Sequence, residues 1–449
     1  MSEPVKVKDS IPAVTEELSL FALPPTETGI ERRYYVDYRP VSQLVDDCSP
    51  IEFNFMGVRD YLDLKKTELH VRAKIVNASG GDVVKTDYVA PANLLLHSMF
   101  EKVDLTIQDT LMTHAMGGYP YASYFRTLKC LGADNKHLEA AGFSMDWGDM
   151  EATGIMPKVD PNDATEKRKM NLGASERGKW FLDGNTFAMQ GPLLADVCDL
   201  YRLIPGNTKV AVKLYRSRPE FVLSAPLNPT GGYKIILEEI YLRVAYAKPS
   251  SGAVVGIDNA LENKHKAAFP FTRSEVRTFN IPQNYQDIYL DNIFQGIVPS
   301  LVLVGLLDSR AKNGDYSKNC FNFQPYDVRE YGMSVNGTYV PSLPVKVDFS
   351  NGQNYVAAYK DFMSCLKGKA DDVGIDLKRY KDGYTIFAFN LEGALGKSDP
   401  DDMFNLKKFG SCRLEMRFGT QLPHTVSMVV YAEYPSMFTM DKNRSVKLH

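Results

Sequence analysis

Close-set pairs of cysteine or histidine are absent from this sequence. Its six cysteines, Cys48, Cys130, Cys198, Cys320, Cys365 and Cys412, stand tens of residues apart with no CxxC. That spacing encodes neither a disulfide framework nor a zinc site, and reduced, buried thiols are the expectation. The seven histidines, His70, His97, His114, His137, His265, His424 and His449, form no HxH or HExxH, so the metal sites that depend on such spacing are not encoded. No GxSxG elbow occurs either, and no motif pairs a Ser or Cys with a His. The sequence therefore carries no catalytic residue, cofactor or metal signal, and a chain that is not an enzyme is expected.

Charge of one sign is also missing. A formal net charge of -3 with 24% charged residues gives no whole-chain attraction for a polyanion, and nucleic-acid binding would want a basic patch or domain. No run approaches the roughly 18–20 apolar residues of a membrane span. The N-terminal stretch MSEPVKVKDSIPAVTEELSLFALPPTETG has no basic segment followed by an apolar core, so no secretory signal is read and synthesis in the cytosol is expected. The sequons at Asn77, Asn336 and Asn443 then carry little weight.

Three stretches look chemical at first sight. Gly393-Ala-Leu-Gly-Lys-Ser398 has two residues between its glycines where a phosphate loop needs four to wrap the phosphates with backbone N–H groups, so it reads as a turn. The acidic loop of Asp399, Asp401 and Asp402 has neither the Gly nor the terminal Glu of a calcium loop and reads as solvated. Lys167, Arg168 and Lys169 form a charge run inside a long polar stretch, Asp146 to Lys179, and read as a wet face.

What the chain does have is length for two cores and many short apolar alternations: 449 residues, 44% hydrophobic, with 25 tyrosines and 23 phenylalanines. Leu69, Val71, Ala73 and Ile75 alternate with His70, Arg72 and Lys74, as in a strand with one packed and one wet face. Strand signals recur at Ile51–Phe55, Val103–Leu111, Trp180–Leu182, Phe187–Met189, Lys209–Tyr215, Glu220–Leu223 and Tyr233–Tyr246. Beyond residue 268 they resume at Glu275–Ile281, Ser300–Leu307, Met333–Val340 around Asn336-Gly337, Tyr384–Leu391, Ser411–Phe418 and Thr425–Tyr434. Short helices are expected at Leu94–Met99, Tyr121–Leu131 and, as a polar linker helix, Ile257–Ala268. No βαβα rhythm appears, so the expected fold is all-β, two tandem antiparallel sandwiches. The expected units are an arm over 1–30, a first sandwich over 31–248 with a polar excursion near 146–179, a linker with a helix over 249–268, and a second sandwich with a C-terminal tail over 269–449.

Several patches together carry a resemblance. Tyr34-Tyr-Val-Asp-Tyr-Arg-Pro40, Ser49-Pro-Ile-Glu-Phe53, Asp60-Tyr-Leu-Asp-Leu64, Lys74-Ile-Val-Asn-Ala78 and Val89–Leu105 come in this order. Asn319–Phe323, Asp382–Phe389, Leu414–Phe418, Val429–Tyr434 and Asp441–Arg444 follow in the second half. From about residue 30 to 446 this succession resembles the major capsid proteins of Polinton/Maverick elements and their adintovirus relatives. The resemblance implies a double jelly roll, two eight-stranded sandwiches with short inserted helices. It implies a homotrimeric capsomer of pseudo-sixfold outline, and an icosahedral virion shell around double-stranded DNA built with neighbouring capsomers and penton or minor capsid proteins in the host cell. It offers no catalytic motif. The arm has no Arg-rich run, so direct sequence-specific nucleic-acid binding is not expected. The residues alone leave a second reading open, a β-sandwich carbohydrate-binding protein or hydrolase, since fold does not fix function.

Overall fold

Period-two alternation decides the architecture. In β3 (Tyr61–Asn77) the side chains of Leu69, Val71, Ala73 and Ile75 are buried while Arg72 is exposed, so one face packs and the other meets water. The computed structural model describes residues 16–18, 20, 21, 23, 26–41, 50–57, 59–84, 87–113, 117–131, 136–151, 170–225, 231–340, 343–350, 354–366, 374–391 and 407–449. Lys167, Arg168, Lys169, the loop of Asp399, Asp401 and Asp402, the Gly393–Ser398 stretch and Cys48 lie outside these residues.

The first half contributes β1 (Ile30–Tyr38), β2 (Ile51–Met56), β3, β4 (Ala90–Pro91), β5 (Phe100–Ile107), β6 (Thr110–Leu111), β7 (Phe187–Pro192), β8 (Lys209–Arg216), β9 (Leu223–Ser224) and β10 (Tyr233–Pro249). Its two main sheets have the orders β1-β10-β3-β7 and β2-β8-β5-β6. The second half contributes β11 (Ala267–Ile281), β12 (Asp287–Ile297), β13 (Leu301–Asp308), β14 (Val328–Val335), β15 (Thr338–Tyr339), β16 (Val345–Lys346), β17 (Ile386–Asn390), β18 (Phe409–Phe418), β19 (Val426–Met440) and β20 (Val446–Leu448). There the orders are β11-β19-β13-β17 and β12-β18-β14-β15. Setting aside the short ladders β4, β9, β16 and β20, each half strings eight strands along the same path: first, eighth, third and sixth in one sheet, and second, seventh, fourth and fifth in the other. All these pairings are antiparallel. That path is a jelly roll, and the chain carries it twice.

Local chemistry explains where helices replace the expected strands. Asn171 caps the helix Leu172–Lys179, its side-chain oxygen accepting from the Ala174 N–H at 3.1 Å. Trp180 closes that helix and stacks on Phe187 at 4.4 Å, so the apolar Trp180–Leu182 signal anchors a helix end rather than a strand. Pro219 fits the first turn of the helix Pro219–Val222, which displaces the strand expected at Glu220–Leu223 down to β9. The linker helix spans Ser251–Glu262, not Ile257–Ala268, because Ser250 caps it and Ala267 already belongs to β11. It is also apolar where a polar helix was expected.

The helical turn α1 (Leu95–Ser98) lies before β5 with all four residues buried. Its leucines pack under the helix α2 (Tyr119–Cys130) and against β5, and so join the main core before the chain re-enters a sheet at Phe100. The Asn336-Gly337 turn links β14 to β15 with φ of 51° and 83°, the left-handed pair that such a tight hairpin requires. One continuous apolar core runs through both rolls.

Candidate functional site: a buried seam between two rolls

α2 belongs to the first half but lies on the second. It enters from Gly118 at φ 112°, where a Cβ would press on Val276 of β11 at 3.0 Å, so glycine allows the helix to approach the second roll. Tyr124 stacks on Phe321 at 4.2 Å between ring centroids, and Phe125 on Phe323 at 5.3 Å. Phe125 also meets Tyr431 of β19 at 5.6 Å. Offset aromatic stacking of this kind favours one relative placement over sliding.

Ion pairs fix that placement further. Lys129 of α2 donates to both carboxylate oxygens of Glu433 in β19 at 2.5 Å, and the Tyr431 hydroxyl donates to the same group at 2.6 Å. Burial alone would push the Glu433 carboxyl up, but the Lys129 ammonium and the Tyr431 hydroxyl outweigh it and hold the group below its usual value. One turn earlier, Arg126 donates to Asp196 at 2.6 Å, and Asp196 accepts from the backbone N–H and hydroxyl of Ser274 in β11 at 2.9 and 2.6 Å. Asp196 thus ties a first-roll helix to a second-roll strand.

A second hub flanks the polar stretch at 146–179. Arg177 and Asp146 are wholly buried and paired at 2.8 Å, with Arg177 also donating to the Ser144 and Pro91 carbonyls. From the second roll, the Tyr384 hydroxyl donates to the Asp146 carbonyl at 2.8 Å, and Asn319 donates to its carboxylate at 3.3 Å. The described ends of that stretch are therefore anchored in the seam rather than forming part of a wet excursion; residues 152–169 lie outside the described set.

The seam makes the two rolls unequal. Every residue of β13 is buried, and helix α2 packs on the outer side of its sheet against β11 and β19. The corresponding first-roll sheet keeps an open outer face of paired polar groups. Arg243 binds Asp37 at 2.8 Å, and His70 stacks on Tyr241 at 4.3 Å. On the open β12-β18-β14 face, Arg413 lies over the Tyr289 ring at 5.1 Å and Arg417 binds Asp287 at 2.8 Å.

Ligand chemistry finds little room. Among the described residues no group of three or more His, Cys, Asp or Glu side chains could hold a metal ion. A seam cavity lined by Tyr119, Asp196 and Val276 among others holds about 50 Å³, the size of a water or two. Of the histidines, His97 is buried against the Tyr119 hydroxyl at 2.9 Å, and burial pushes its imidazole down to about 3. His424 sits 3.7 Å from Asp308. Cys198, Cys320, Cys365 and Cys412 are buried as expected, whereas Cys130 is exposed at the end of α2. Among the described residues no helix is long and apolar enough to cross a membrane.

The seam residues Arg126, Lys129, Asp146, Arg177, Asp196 and Glu433 were not legible as a set. A signal was present in one of them, since Glu433 is the lone charge in the run Val426–Met440, whereas Lys129 shares the run Tyr124–Leu131 with Arg126. Nothing in sequence says that those two runs meet.

Comparison with known proteins places the fold. No family model matches the chain. The uncharacterized Caenorhabditis elegans protein F54H12.2 is 24% identical over 400 residues, covering 86% of this chain and 90% of its own. A chain of the Sputnik virophage, seen by electron cryo-microscopy, superposes with a TM-score of 0.61 at 11% identity over 100% of this chain and 94% of that one. The mavirus major capsid protein gives 0.55 at 12% identity over 100% and 97%. The Faustovirus major capsid protein gives 0.52 at 9% over 93% and 92%. The chain has the double jelly-roll fold of these viral capsid proteins, matched along its whole length.

Proposed function

We propose that this chain is a major capsid protein that forms homotrimers of pseudo-sixfold outline, which tile an icosahedral virion shell around double-stranded DNA. The carrying observation is the pair of rolls with one strand order, locked by a buried seam into a single body. Three such bodies offer six similar sides, enough to fill a near-hexagonal net from one gene product. The full-length likeness to the mavirus and Faustovirus major capsid proteins supports the same reading. In this reading the arm (1–30), first roll (31–248), linker (249–268) and second roll with its tail (269–449) act as one structural subunit without catalysis. Neighbouring capsomers and penton or minor capsid proteins are its partners.

Light scattering on purified protein, followed by negative-stain images, tests this. A particle of about 150 kDa, three times the 50.4 kDa chain, with a hexagonal outline is expected. A strictly monomeric protein at all concentrations, or glycan-dependent association in its place, refutes it.

A further inference from the structure

One end of the molecule gathers the arm, the linker helix and the C-terminus. β1 starts opposite the end of β10, with Ile30 paired to Pro249, and the Ser250 N–H donates to the Gly29 carbonyl at 2.8 Å. β11 starts opposite the end of β19, with Ala267 paired to Met440, and β20 closes on the same stretch. Arg444 reaches across this end to the Gly206 carbonyl at 3.0 Å and to Asp258 of the linker helix at 3.5 Å.

The linker helix Ser251–Glu262 is nearly uncovered. Leu261 is its one buried side chain, and Val255 and Ile257 are 58% and 37% exposed. Its free side carries Gly252, Val255, Gly256 and Ala260, an apolar surface with no neighbour within 4 Å of either glycine's Cβ position. Past its C-terminal end stand the exposed Lys264 and Lys266, while of the exposed acidic residues on the helix, Asp258 and Glu262, the first is paired with Arg444. An apolar helix side left in water costs free energy that a cover would recover.

The arm supplies the opposite character. Leu18, Leu20, Phe21 and Leu23 are 71%, 78%, 99% and 92% exposed in the single chain. Between Lys8 and Arg32 the sequence has no basic residue, while Glu16, Glu17, Glu27 and Glu31 are acidic. Greasy and acidic, the arm matches a helix that is greasy on its free side and followed by two exposed lysines. The single chain leaves both surfaces bare, so it does not itself bring them together. Gly29 lies eleven positions beyond Leu18, a reach of up to about 36 Å when extended, enough to span to an adjoining copy.

We propose that the arm segment 16–23 of one copy covers the exposed face of the linker helix Ser251–Glu262 in a second copy, its leucines and Phe21 on Val255 and Ala260 and its glutamates on Lys264 and Lys266. This goes beyond the capsid reading and rests on it, because that reading supplies the adjoining copies. The arm then acts as a strap between subunits at the end where both termini emerge.

Mixed-chain disulfide trapping tests the strap. A tagged Phe21→Cys chain and an untagged Val255→Cys chain are mixed as full-length proteins and oxidised mildly, with each single variant alone controlling for Cys130 and the other native thiols. A hetero-disulfide well above the single-variant controls is expected. Glu16→Lys/Glu17→Lys on the tagged chain should lower its yield about five-fold, and Lys264→Glu/Lys266→Glu on the other chain should restore it. Two results overturn the proposal: no hetero-disulfide, or a yield indifferent to charge reversal. Co-sedimentation of the Val255→Cys protein with anionic vesicles, without any hetero-disulfide, would assign the helix to a lipid surface and likewise overturn it. Hexagonal 150 kDa-class particles without the hetero-disulfide sink the strap alone, whereas a hetero-disulfide from chains that never form such particles sinks the capsomer reading alone.

Discussion

Lys129→Met should separate the seam's electrostatics from its packing. The substitution keeps the apolar stem and removes the ammonium, leaving the Glu433 carboxylate with the Tyr431 hydroxyl as its direct donor. Breaking a buried pair by removing one partner costs about 3–5 kcal/mol, because a charge stays buried without compensation. For 449 residues the unfolding entropy near 60 °C is about 0.9 kcal/mol/K. Calorimetry should therefore show a fall in Tm of about 3–5 °C if the two rolls melt as one unit. Lys129→Met/Glu433→Leu removes both charges and should recover most of that loss, since a well-packed apolar pair can replace a buried ion pair at little cost. The carboxyl is held below its ordinary value of 4.5 in the folded chain. Its stabilising share is therefore complete above about pH 4.5 and fades as pH falls through the depressed value, so the difference between wild type and Lys129→Met should shrink in acid. A single variant that melts within 1 °C of wild type, or a double variant as damaged as the single, would refute the assignment of the seam to this pair.

Two further outcomes follow from burial. His97 stays neutral in the folded chain down to about pH 3, whereas an unfolded imidazole takes up its proton at about 6.5. Protons thus favour the unfolded state in that window, and stability should drop by about 2–3 kcal/mol between pH 7 and 4.5 from this residue. Urea midpoints for wild type and His97→Gln should show a shallower pH slope in the variant, and equal slopes would count against the argument. In thiol titration of the native protein, Cys130 should react readily while Cys198 and Cys412, pushed up by burial to about 12 and about 11, react only after unfolding. Labelling of Cys198 as fast as that of Cys130 would contradict the packing of the seam.

Legibility in the sequence followed the range of the interactions. Alternation along Leu69–Ile75 and Cys412–Phe418 needs only neighbours two residues apart, and those strands fell where expected. The hairpin at Asn336-Gly337 was legible for the same reason. Trp180–Leu182 and Glu220–Leu223 were misread because their apolar residues belong to helix ends, where the Asn171 cap and Pro219 in a first turn set the backbone. The linker helix was misplaced because Ser250 caps it seven residues before the apolar Ile257. The seam could not be read at all, since Lys129 and Glu433 are 304 residues apart. The family resemblance implied a double roll, and it carries no statement of which side chains join the halves.

The repeated path and the unequal surroundings belong together. Two rolls with one strand order would be interchangeable if each kept an open outer face, and a chain of interchangeable modules has no fixed register between them. Covering the outer side of the β11-β19-β13-β17 sheet with α2, while leaving the β1-β10-β3-β7 sheet wet, breaks that equivalence. The cover is itself the fastener, because Lys129 of α2 pairs with Glu433 across the seam and Arg126 holds Asp196, which accepts from Ser274 of the second roll. In the capsomer reading proposed above, a ring of three chains then alternates two kinds of side, so its contacts are threefold in chemistry beneath a sixfold outline. A seam that tolerated sliding would blur those two kinds of side, which ties the loss of Tm expected for Lys129→Met to a loss of regular hexagonal particles in the same sample.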